Sequence, residues 1–175
     1  MKARRSAGGQ RVQACRKDTD DLPRLLGTLG YPGFAYLANS NAVANPAAVL
    51  MACLRPEQGS ARVTEALPWL LVTFADGLDW KWVVDQAKLA NLQNRLGFLV
   101  DLAQELARRG GDSSAAKRLS EVARQLEEAR LAKEDTLGSV LTEAERRFLR
   151  HGRPELAAHW NLLTRLGVDN LSYAK

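Results

Sequence analysis

The chain has 175 residues, 46% of them apolar and 26% charged, enough for the core of one ordinary domain and too short for two large ones. Leu and Ala dominate, Ile is absent, and the aromatics are four Trp, three Tyr and four Phe; this composition favours helices over strands. The formal net charge is +5, but residues 1–17 hold six cations and no acid, so the remainder is close to neutral and a uniformly basic nucleic-acid-binding body is excluded.

Residues 1–17 read as a flexible basic arm and residues 18–175 as a single helical domain. A short helix is expected over 22–29, with Asp20 or Asp21 near its cap and Gly30 after it. Tyr31-Pro32-Gly33 is a turn, and residues 34–37 form either a short strand or a helical turn. Asn45 caps the next helix, Pro46 takes its first position, and Pro56 stops it. Ser60 caps a helix with Val63, Leu67, Leu70, Leu71 and Phe74 on one face; Pro68 kinks or divides it.

Asp79 caps a helix whose inner face is Trp80, Val83, Val84 and Ala87, leaving Trp82 off that line. Residues 89–91 bend, and a strongly periodic helix runs over 92–109 until Gly110-Gly111 ends it. A charge-rich helix with a narrow apolar stripe (Leu119, Val122, Leu126, Ala129) is expected from Ser113 or Ser114 to about residue 133. Thr142 and Glu145 have the spacing of a capping box. Pro154 opens a last helix with Leu156, Ala157, Trp160, Leu163 and Leu166 inward. The expectation is an all-α, compact irregular bundle of about seven helices with no clear strand.

Recognisable catalytic patterns are missing from the sequence. Arg108-Arg109-Gly110-Gly111-Asp112 has glycines but lacks the Lys-Ser/Thr ending of a phosphate loop. His151 and His159 are the two histidines; a metal site there would need both and a carboxylate such as Glu155. His151 reads instead as a cap residue and His159 as a surface or half-buried one. Cys15 lies in the basic arm and Cys53 in an apolar run, where a thiol is a small buried hydrophobe. No apolar run is long enough to span a membrane, and the N-terminus lacks the apolar segment of a secretory signal. The expectation is a cytoplasmic protein with no cofactor, no metal and no catalytic group.

The densest constellation is WKWVVDQAKLANLQNRLG, from Trp80 to Gly97. A short helix, a bend and a longer helix make a helix-turn-helix-like pair. In a DNA reader the first residues of the second helix enter the major groove. Here those are Asn91, Gln93, Asn94 and Arg95, with Lys88 placed for a phosphate; Asn and Gln pair with adenine, Arg with guanine. Such a reader needs a basic face built from Lys81, Lys88, Arg95, Arg108 and Arg109. The competing reading turns Asn94 and Arg95 inward, to carbonyls or to Asp101 or Asp85.

The line LQNRLGFLVDLAQELA following WVVDQAKLAN resembles the helical region of bacterial antitoxin-type transcriptional regulators, the AbiEi-like group. The resemblance covers roughly residues 46–106, about a third of the chain, and centres on Arg95-Leu96-Gly97-Phe98. It implies a helical domain that contacts a protein partner or assists repression. The stretch before Pro46 is shorter than the DNA-binding head of those regulators, so it is the partner-binding portion that the resemblance implies.

Two features are candidates for partner contact. Trp82 is an exposed anchor on a helix whose other aromatic faces inward. The helix around Arg124, Glu128 and Arg130 has the charge-rich, narrow-striped form that dimerises or docks. The leading expectation is a regulatory protein acting through a protein partner or as a homodimer, with double-stranded DNA as a further partner. A helical interaction or scaffold module without a DNA role is the alternative, and an unrecognised enzyme the third reading.

Overall fold

Short polar side chains set the helix starts. In the computed structural model Asn45 Oδ1 accepts from the N–H groups of Ala47 and Ala48, Ser60 Oγ from Val63, Asp79 Oδ1 from Trp82 and Asp112 Oδ1 from Ala115. Thr142 and Glu145 form the reciprocal capping box that their spacing predicts. The structure describes residues 21–39, 42–55, 60–137 and 141–171. The basic arm and Cys15 therefore lie outside the described residues.

The helices are α1 (Leu22–Thr28), α2 (Pro46–Cys53), α3 (Ala61–Thr73), α4 (Trp80–Leu89), α5 (Gln93–Arg109), α6 (Ser113–Glu127), α7 (Glu143–Gly152) and α8 (Glu155–His159). Short 3-10 segments cover Pro32–Leu37 and Val168–Asn170. The bundle is all-α but for two short strands, β1 (Asp135–Thr136) and β2 (Leu162–Leu163), which pair in parallel. The expectation of no strand is corrected at this one place. Pro68 stays inside an unbroken α3, because its lost N–H is a local matter while its ring is buried among core residues.

Two helices are shorter than their hydrophobic pattern predicts. The one over 113–133 ends at Glu127, where Ala129 and Arg130 turn back through N–H bonds to Leu126 and Glu127 carbonyls. The one after Pro154 ends at His159, because Asn161 takes a left-handed φ of 54° and hands the chain to β2. In both cases apolar residues continue at helical spacing, but the backbone is taken by other partners.

The long helix α5 is the axis of the fold. It packs on α3, α4, α6, α8 and both strands. Leu96, Phe98, Leu99 and Val100 have no exposed surface at all, so the helix is enclosed on several sides rather than along one stripe. Gly97 makes this possible: a Cβ there would sit 2.3–2.6 Å from the ring of Trp160. The indole N–H of Trp160 then reaches Asp101 Oδ2, one turn along the same helix, at 2.7 Å.

That contact makes Gly97→Ala a direct test of the packing. Overpacking costs about 1–3 kcal/mol, and the ~1 kcal/mol by which Ala exceeds Gly in helix propensity offsets only part of it. Gly97→Ala is expected to lower the midpoint of urea unfolding. Gly77→Ala, whose Cβ meets nothing closer than 3.9 Å, is expected to leave it nearly unchanged.

Candidate functional site

The bend between α4 and α5 forms as the sequence predicts, with Asn91 exposed at φ 56°. The side chains after it do not face outward. Gln93, Asn94 and Arg95 are 5%, 2% and 4% exposed. Asn94 holds the backbone of one residue by both of its polar groups: its Nδ2 donates to the Leu131 carbonyl and its Oδ1 accepts from the Leu131 N–H, each at 2.8 Å. Arg95 donates from Nε and Nη2 to the two oxygens of Asp135 at 2.6 and 2.7 Å, and from Nη1 to the Leu54 carbonyl at 3.0 Å. Gln93 Oε1 is buried without a hydrogen-bond partner.

This placement corrects the base-reading expectation for Gln93, Asn94 and Arg95. A groove-reading helix must project these side chains into solvent, and here they hold the interior together. Arg95 pairs with Asp135, not with Asp85 or Asp101. The basic face is also incomplete: Lys81 is paired with Asp85, and Arg109 is clasped by Glu105 and Asp169. Lys88, Asn91 and Arg108 remain on the surface.

The interior charges are tuned in opposite directions. Burial pushes the Asp135 carboxyl up, but the Arg95 and Thr136 hydrogen bonds and the Arg95 charge outweigh it, and the group lies below the usual carboxylate range. Asp101 goes the other way: burial raises it, and the Trp160 N–H and His159 recover only part. The Cys53 thiol is pushed up to about 12 by burial, so it is an inert core group and not a nucleophile.

Trp82 is 40% exposed, and Val43 is fully exposed. The two line one groove with Pro46, Ala47 and Ala48 from the start of α2, and with Gly77 and Asp79 before α4. The α6 candidates are placed differently. Arg124 and Glu128 are exposed and face each other at 3.8 Å. Arg130 is tied inward, donating to the His159 carbonyl and pairing with Glu127, which pins the end of α6 against α8.

A second concavity lies under α7. It is about 430 Å³, with a floor that includes Leu137, Leu163 and Leu166, Leu149 of α7 in its roof, and walls that include Thr64 and Thr136. No side chain of α7 is buried. The helix is attached through Glu134, which takes Arg150 at 2.8 Å, Arg153 at 3.7 Å and Arg146 at 4.0 Å. The Arg150 hydrogen bond, aided by the three guanidinium charges, holds the Glu134 carboxyl below its ordinary value against the opposing effect of partial burial.

The two histidines do not meet in one site. His151 Nδ1 contacts the Arg147 carbonyl in its own helix, and His159 Nε2 contacts Glu127 at 2.7 Å. Among the described residues no group of three His, Cys, Asp or Glu is placed to hold a metal ion. No described helix is long and apolar enough to cross a membrane.

No family model, no curated protein and no solved structure matches the chain. Sequence reasoning missed the cleft under α7, whose lining comes from separated segments. It also missed Arg165, the cation at its mouth, although an Arg two residues after the apolar pair 162–163 was a visible signal.

The charge network gives a signed prediction. Asp135 and Glu134 have depressed folded-state values, so their stabilisation is present above the ordinary carboxylate range of about 4 and is lost as pH falls through the depressed values. Wild-type stability from urea unfolding is expected to fall as the solution is acidified from pH 6. In Asp135→Asn the fall is expected to be shallower, with lower stability at pH 7 throughout. Equal acid slopes in both proteins would show that the pair does not form. Removing the guanidinium by Arg95→Met is expected to cost about 3 kcal/mol or more at pH 7, since it strands a partly buried carboxylate.

Proposed function

We propose that this chain is a regulatory binding module that acts through protein contact at the Trp82 groove. The observation that carries this reading is the pairing of an exposed Trp with a fully exposed Val across one concavity. Large aromatics left in water beside a pocket are the side chains that anchor partners. Among the described residues the only charged side chain lining the groove is Asp79, and Asp76 lies exposed on the other side of Gly77. The fitting occupant is an apolar protein segment flanked by Lys or Arg. The resemblance to antitoxin-type regulators supports the same role, because it concerns their partner-contacting region.

Direct base reading by the body of the protein has less support. Three of its five named residues are engaged or enclosed inside the fold, and two of its five basic-face residues are neutralised by acids on the surface. Any contact with DNA is then expected to run through phosphates alone. Such binding is insensitive to sequence and weakens steeply with salt.

The test is a peptide-display selection against the purified full chain. Selected peptides are expected to carry a large apolar residue beside a base. Their affinity is expected to drop about tenfold or more in Trp82→Ala, about 1.4 kcal/mol or above, with the circular dichroism spectrum unchanged. Lys88→Ala serves as the control and is expected to bind normally. Peptides that bind Trp82→Ala as tightly as wild type would overturn the assignment of the groove. Concentration-dependent dimerisation abolished by Trp82→Ala would replace the foreign partner with a second copy.

A further inference from the structure

The cleft under α7 is separate from the Trp82 groove, with no lining residue in common. Its volume of about 430 Å³ falls in the range of small-molecule sites, roughly 300–1,000 Å³. Five leucines make an apolar body for it: Leu137 and Leu141 between β1 and α7, Leu149 of α7, and Leu163 and Leu166 in and after β2. Among the described residues the charged ones that line it are Glu65 and Arg165. The surroundings of Arg165 decide what the cleft would take.

Arg165 differs from the other arginines on this side of the molecule. Arg146, Arg150 and Arg153 each lie within 4.0 Å of the Glu134 carboxylate, and Arg150 also meets Glu143 at 3.5 Å. Among the described residues no carboxylate pairs with Arg165, and its guanidinium lies instead over the Phe148 ring, 4.2 Å from the centroid. Its Nη2 is so close to Gly152 that a Cβ there would be 2.8 Å away. Ring and glycine hold the guanidinium plane in place while its donors remain without an acid. A pre-oriented, unpaired guanidinium at the mouth of an apolar cleft is the arrangement that receives a carboxylate.

We propose that the cleft between α3, β1, β2 and α7 binds a small monoanionic amphiphile, an apolar chain or ring bearing one carboxylate, with the acid on Arg165 and the apolar body on the leucine floor. The lining threonines, Thr64, Thr136 and Thr164, leave the walls neutral. Part of the roof is α7, held to the body by ion pairs rather than by buried side chains, so entry does not require breaking the core.

The probe is octanoate, with octanol as its uncharged counterpart, titrated into the full chain by isothermal calorimetry and by methyl-group NMR. Saturable octanoate binding is expected, with octanol at least tenfold weaker and shifts centred on the leucine floor. Arg165→Gln is expected to weaken octanoate at least tenfold and leave octanol unchanged. Arg124→Gln, a distant exposed arginine, is the charge-matched control and is expected to bind as wild type. Gly152→Ala, which pushes the guanidinium off its place, is expected to weaken octanoate without changing the leucine shifts caused by octanol. The proposal fails if octanoate shows no saturable binding to the folded protein. It also fails if octanoate and octanol bind equally and Arg165→Gln changes neither, which means apolar adsorption only. Thermal unfolding of each variant without ligand separates a lost site from a lost fold.

Discussion

The structure depends on one buried cation. Arg95 sits at the first turn of α5 with a side chain 5% exposed, and bringing a guanidinium out of water is costly unless its donors are met. They are met by two segments remote in sequence: the carbonyl that ends α2 and the carboxylate that opens β1. The neighbouring Asn94 clamps the Leu131 peptide, and Asn161 donates to the same carbonyl. Two consecutive side chains therefore fix the path of residues 131–135 across α5. That path sets the β1–β2 pairing, and with it the position of Glu134. Glu134 in turn holds α7, and α7 roofs the cleft. A change at Arg95 is thus expected to propagate to the second half of the chain more than to α1–α4, whose contacts are apolar.

The interior and the surface use charge differently. Inside, the Arg95–Asp135 pair is bidentate and shielded, so it specifies one arrangement of three segments. Outside, the Glu134 cluster is half-solvated and joins α7 to the body without apolar burial. Salt screens such a cluster far more than the inner pair. The two have the same sign of pH dependence, while the half-buried Asp101 opposes them, because burial favours its neutral form. Stability on acidification is the sum of these opposing slopes.

Where the sequence was legible, the signals were local. Asn45, Ser60, Asp79 and Thr142 announced helix starts through chemistry contained within three residues. Gly30 and Asn91 marked turns through their backbone freedom. The ends of α6 and α8 were not legible, since apolar spacing continues past both and the termination is imposed by Asn94, Asn161 and the strand pairing. The same non-local cause misled the reading of residues 93–95. Asn, Gln and Arg at a helix start look alike whether they face a nucleic acid or a buried carbonyl, and only the distant Leu54, Leu131 and Asp135 decide. Trp82 was legible as an outward residue because its phase against Trp80 is set within one helix turn. The cleft was not, because its lining spans residues from Ala61 to Asn170.

The two candidate surfaces lie toward opposite ends of α3. Its first turn supplies Ala61, Thr64 and Glu65 to the cleft, and the chain just beyond its last turn supplies Gly77 and Asp79 to the groove. The helix is 13 residues, roughly 20 Å at the usual rise. Between the ends Leu67, Leu70 and Leu71 are fully buried, and close-packed cores shift between discrete arrangements rather than yielding gradually. Coupling between a ligand under α7 and a partner at Trp82 would need a second arrangement of this helix, with different affinity at each end. Pro68 removes one backbone donor at its middle, which marks the position where such an arrangement would bend. In the arrangement described, the two surfaces stand as separate sites, so occupancy of one is no evidence about the other.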